Sequence, residues 1–131
     1  MYRIQRQTTI EQFIFPFGAL DPGNRWVRLA DEVPWEELEA RYAAWHPPRG
    51  RPAKPIRLLF GCLVVKEVLD CTDRETLAQA AENPYIQYFL GGSAFEQARP
   101  VGLTTLTDFR RGLFESDRRL IRRLARNKYM R

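Results

Sequence analysis

Ala53–Gly92 reads AKPIRLLFGCLVVKEVLDCTDRETLAQAAENPYIQYFLGG, and the fold turns on it. From Ile56 to Leu69 the residues Ile56, Leu58, Leu59, Phe60, Cys62, Leu63, Val64, Val65, Val68 and Leu69 form an apolar run whose only charges are Arg57, Lys66 and Glu67. A helix apolar on nearly all sides is stable only when other helices wrap it. The run is too short and too charged to cross a bilayer, which needs about 20 apolar residues. It is therefore predicted to be the central helix of a compact all-α bundle. Pro55 suits its first position, where a missing amide costs nothing. Gly61 inside it forfeits about 1 kcal/mol of helix propensity against Ala, a cost that makes sense where a neighbouring helix approaches closely.

The following residues punctuate two more helices. Thr72-Asp73-Arg74-Glu75 has the pattern of a capping box, with the Thr72 hydroxyl taking the Glu75 amide, and starts a helix running to about Glu82. Asn83-Pro84 stops that helix and starts the next, Asn as cap and Pro at the first position. Tyr85, Ile86, Tyr88, Phe89 and Leu90 load this short helix with apolar groups, and Gly91-Gly92 ends it. Helix, tight turn, helix is the outline of a helix-turn-helix unit.

Upstream, residues 1–12 are polar and form a loose N-terminus, without the apolar segment of a signal peptide, so cytoplasm is the default compartment. Phe13-Ile14-Phe15-Pro16-Phe17-Gly18 is predicted as an extended aromatic segment packed along the helices. Asp21-Pro22-Gly23-Asn24 is a turn by residue type, and Arg25 to Ala30 a short helix with Trp26, Val27 and Leu29 inward. Pro34 opens a helix whose face is Trp35, Leu38, Tyr42 and Trp45, with Glu36, Glu37 and Glu39 making the outer side acidic. Cys62 and Cys71 stand half a helical rotation out of phase and read as buried free thiols. His46, the lone histidine, has no ligand cluster around it, and no metal site is expected.

Four blocks in order, FIFPFG, NRWVRLADEVPWEELEARYA, PAKPIRLLFGCLVVKEVLDCTDRETLAQAAENPYIQYFLG and LTTLTDFRRGLF, resemble the N-terminal, InsH-type domain of bacterial insertion-sequence DDE transposases. The resemblance covers Phe13 to Leu113, and the domain is expected over residues 13–114, followed by a basic helix or tail over 115–131. It implies a helical DNA-binding domain that recognises the terminal inverted repeats of an element and precedes an RNase H-like catalytic domain. That catalytic domain would follow Arg131. The expectation is thus a transposase module without its DDE chemistry, acting as a competitor or repressor, with double-stranded DNA, a second copy or the full-length transposase as partners.

Charge distribution supports a polyanion partner. From Arg110 to Arg131, nine basic residues face only Glu115 and Asp117, so this stretch carries +7 while residues 1–109 carry −2 of the chain's total +5. One-sided positive charge is the electrostatic footprint of nucleic acid binding. Leu103 to Phe114 is predicted as the helix that enters the major groove. Thr105 with Asp108 forms a second capping-box pattern, Thr104 being the alternative cap. Thr104, Thr105 and Thr107 are small hydroxyl groups suited to base edges, and Arg110 and Arg111 suit guanine edges or phosphates. Ser116 would cap a last helix, Asp117 to about Asn127, with Leu120, Ile121 and Leu124 inward and Arg118, Arg119, Arg122, Arg123 and Arg126 outward. Its apolar stripe is narrow and has no Trp, which ranks a membrane surface last among its partners.

The Pro-rich stretch His46–Pro55 carries Arg49, Arg51 and Lys54. It reads either as a solvated connector or as an arm lying on phosphates or in the minor groove. No Gly-rich phosphate loop, nucleophile elbow or Cys–His pair is present, and the acids all suit turns, caps or helix starts. No catalytic residue and no cofactor is expected. The competing reading is a protein-interaction domain, in which the acidic Glu36–Arg41 helix and the aromatic N-terminus drive oligomerisation without DNA readout.

Overall fold

The computed structural model describes residues 8–15, 18–47 and 54–130. The chain is all-α. Its helices are α1 (Arg25–Ala30), α2 (Trp35–Arg41), α3 (Ile56–Leu69), α4 (Asp73–Glu82), α5 (Pro84–Phe89), α6 (Leu103–Arg111) and α7 (Glu115–Ala125), followed by a 3₁₀ turn, Lys128–Met130. Among the described residues the only extended pairing is a single parallel bridge between Ile14 and Ala94.

α3 is the axis of the bundle. It contacts α2, α4, α6 and α7, while α1 packs on α5. Leu59, Phe60, Cys62, Val64 and Val65 are wholly enclosed, as an all-apolar helix requires. Gly61 is where α5 comes closest: a methyl group there would stand 2.6 Å from Leu90 Cδ2. The missing side chain therefore makes room for the end of α5. Burial raises the Cys62 thiol to about 12, so it is an inert core group, and both cysteines are free.

Several local signals act as the sequence suggests. Thr72 Oγ1 accepts from the Glu75 amide at 3.1 Å and starts α4. Asn83 Oδ1 accepts from the Tyr85 and Ile86 amides and starts α5, with Pro84 in its first turn. Gly91, at φ +89°, ends α5. The Gly91 amide donates to Tyr88 O and the Gly92 amide to Gln87 O, the bond pair of a Schellman motif. Asp21 and Asn24 close the turn before α1, and Asn24 caps it.

Other expectations need correction. Glu39 is buried, not part of an acidic outer face. Pro34 and Pro55 are N-caps rather than first helical residues. α6 starts from Gly102 and α7 from Phe114, neither with a side-chain cap. Thr105 is enclosed in the core and Ser116 is exposed, so the caps foreseen at those residues do not form. Phe13 packs edge-on against Tyr88, but Ile14 projects outward, 69% exposed. Pro16 and Phe17 lie outside the described residues.

Two buried charged groups join helices far apart in sequence. Arg57, in the first turn of α3, donates to Tyr88 O and Phe89 O and lies 4.4 Å over the Trp35 ring. It thereby satisfies carbonyls at the end of α5, which an α-helix leaves without internal partners. Burial pulls its guanidinium down to about 10, against the opposing pull of the Glu39 and Asp31 charges. Asp117, in the first turn of α7, is 2% exposed. It accepts from Arg41 Nε and Nη2, both at 3.0 Å, and from the Tyr42 hydroxyl. Tyr42 Oη accepts in turn from the Phe114 amide at 3.1 Å. α7 is thus bolted to α2 by a polar knot and to α3 by Leu120, Ile121 and Leu124.

Candidate functional site

The apolar side of α7 fixes what its other side shows. With Leu120, Ile121 and Leu124 buried, Arg119, Arg122, Arg123 and Arg126 are all exposed. Spacings of three and four residues put these four on one face of the helix. Arg122 lies 3.6 Å from Glu115. Among the described residues no carboxylate forms an ion pair with Arg119, Arg123 or Arg126. The face therefore keeps most of its positive charge. Arg118 is half-buried and turned toward α6, where Nη2 donates to Arg110 O at 2.7 Å.

The end of the chain extends this surface to α1. Two cations lie over the Tyr129 ring, Arg28 at 4.4 Å and Lys128 at 5.2 Å from its centre. Arg28 Nη2 also donates to the Tyr129 hydroxyl at 3.0 Å. Arg28 is thus brought beside the C-terminal basic segment by a contact spanning 101 residues. Sequence reasoning had no means of adding it, since Arg25 to Ala30 looks like an ordinary short helix. Its one legible hint is that Arg25 and Arg28 are the two charged positions left over once the inward residues are assigned.

α6 presents less than expected. Thr105 is buried at 7% exposure and offers no group to solvent. Thr107 is half-buried and its hydroxyl donates to Leu103 O. Thr104 is exposed. Arg111 is 79% exposed and lies 4.0 Å from Asp108, a separation that leaves it essentially solvated. Arg110 is different: it is 30% exposed and bonded to Asp73 of α4, with Lys66 of α3 3.9 Å from the same carboxylate oxygen. Lys66, Arg110, Arg118 and Arg122 surround a shallow groove floored by Leu63, Leu113 and Ile121, with Glu67 at its wall. In the sequence Lys66 stands only as an interruption of a core helix.

Lys54 is exposed at the entry to α3. Arg49 and Arg51 lie outside the described residues. Among the described residues no three His, Cys, Asp or Glu side chains are grouped so as to hold a metal ion, and no helix is long and apolar enough to cross a membrane.

Comparison with known proteins places this geometry in context. A family model described as "Transposase domain (DUF772)" matches residues 17–112. That span takes in α1 to α6 and ends short of α7. An uncharacterized protein, ORF8 in the nfe locus of Rhizobium meliloti, is 35% identical over 92 residues, covering 70% of this chain. The chain spans 44% of that relative's length. No solved structure matches.

Proposed function

The chain belongs to the DUF772 family of transposase domains, and from that premise we propose that it is the DNA-binding module of an insertion-sequence transposase. The observation that carries the reading is the outer face of α7, where Arg119, Arg122, Arg123 and Arg126 stand exposed and largely unneutralised. A row of exposed guanidinium groups can meet backbone phosphates of a duplex, contacts that fix position and supply much of the affinity. Arg28 and Lys128 lengthen the basic surface, Lys54 is a further exposed cation, and Arg111 and Thr104 of α6 are the groups free to approach base edges. The substrate is double-stranded DNA carrying the element's terminal inverted repeats. A chain made of this domain alone would compete with full-length transposase for the ends and so repress transposition.

The test is a competition gel shift with the chain and duplexes from the flanking repeats. Repeat-sequence duplex should displace the complex at far lower concentration than a scrambled duplex of equal length. Equal displacement by both would reduce the role to non-specific binding. Concentration-dependent self-association without a shifted band would favour the protein-interaction role instead.

A further inference from the structure

We propose that the groove between α3, α6 and α7 is a seat for one backbone phosphate of the duplex, and that Asp73 is its internal competitor. The proposal rests on the DNA-binding reading above and deepens it by assigning two residues that the basic C-terminal run does not contain. Lys66, Arg110, Arg118 and Arg122 line one opening between three helices, together with Glu67. Lys66 Nζ also donates to Cys71 O at 2.8 Å and Arg118 Nη2 to Arg110 O at 2.7 Å. Four cations against the single carboxylate of Glu67 leave the lining net positive, which favours an anion there. In this structure the anion nearest Lys66 and Arg110 is the Asp73 carboxylate, bonded to Arg110 and 3.9 Å from Lys66.

The arrangement is accessible. Lys66 keeps 34% of its side-chain surface, Arg110 30% and Arg122 50%, while Asp73 keeps 21%. The pair is part-buried rather than enclosed, so water and salt still reach both partners and weaken it. A phosphodiester oxygen delivered by a duplex already anchored on the α7 face can therefore take the place of the carboxylate. The carboxylate's own position at the start of α4 lets it swing back to the α4 amides, where the helix dipole favours negative charge. Its pairing lowers the affinity of the free domain for DNA and raises the contrast between a well-placed duplex and stray polyanions.

The test uses the full chain, fluorescent duplex and a salt series, with Lys66→Gln and Asp73→Asn beside the unaltered protein. Thermal melts of each variant establish that it is folded. Lys66→Gln should flatten the log-affinity against log-salt slope by about 0.9, the value of one phosphate contact. Asp73→Asn should bind tighter than the unaltered protein at every salt concentration. An unchanged slope in Lys66→Gln, or weaker binding by a fully folded Asp73→Asn, overturns the seat.

A second arm separates this failure from failure of the DNA reading itself. Inorganic phosphate, added against chloride of equal ionic strength, should raise the melting temperature of Asp73→Asn. It should not do so once Lys66→Gln is added to that variant. No phosphate-dependent rise in Asp73→Asn overturns the seat whatever the duplex does. Absence of all duplex binding together with a clear rise overturns only the claim that its phosphate comes from DNA.

Discussion

Tyr42 shows how much depends on one hydroxyl. It joins the buried Asp117 carboxylate of α7 to the Phe114 amide just before that helix, and Arg41 completes the knot. Burial, reinforced by the bond to Asp117, pushes the Tyr42 phenol up to about 12. The folded state therefore holds the Tyr42 proton more tightly than the unfolded chain, whose phenol ionises near 10. Stability from this group is whole below about pH 10 and is lost as pH rises from there toward 12. Urea denaturation across that range should show falling stability, and Tyr42→Phe should flatten this fall while costing about 1–2 kcal/mol at neutral pH. A Tyr42→Phe protein as stable as its parent would mean that the knot does not hold α7. Arg57, in the first turn of α3, makes the same point. It looks like a blemish in an apolar run, yet its guanidinium ties the end of α5 to the start of α3.

At the scale of elements, caps separate what is local from what is tertiary. Asn83→Ala should cost about 1 kcal/mol, because its carbonyl oxygen accepts from two amides of α5. Ser116→Ala should be close to neutral, because Ser116 is exposed and α7 begins without a side-chain cap. Paired denaturation curves decide both, and equal losses would contradict the assignment. This contrast marks how far the sequence was legible. Thr72, Asn83, Gly91 and the Asp21–Asn24 turn act on residues next to them, so their types announce their work. Gly61 was legible as a site of close approach because a glycine in a core helix is otherwise a loss. Thr105 and Ser116 misled because the same residue types also fit a core pocket or plain solvent, and only packing chooses. Arg57 and Asp117 were illegible as buried groups because their partners lie on other elements, up to 76 residues away. The α7 face was readable from its periodicity, whereas Arg28 and Lys66 join the basic surface only through the fold.

Taken whole, the molecule separates a core built around α3 from a basic surface built on α7. The polar knot at Asp117 and the docking of Tyr129 on Arg28 hold that surface in place. Among the described basic residues from Arg110 onward, the ion pairs are Arg110 with Asp73 and weaker contacts at Arg111 and Arg122. Counterion release then predicts binding that weakens steeply with salt, each phosphate contact contributing about 0.9 to the slope. The decisive measurement is the salt dependence of duplex affinity for the unaltered chain and for one carrying Arg119→Gln, Arg123→Gln and Arg126→Gln together. All three side chains are exposed and outside any ion pair among the described residues, so the fold should survive. The expected result is weaker binding with a slope flatter by roughly 2–3. Unaltered affinity and slope in a folded triple variant would show that the α7 face does not meet DNA.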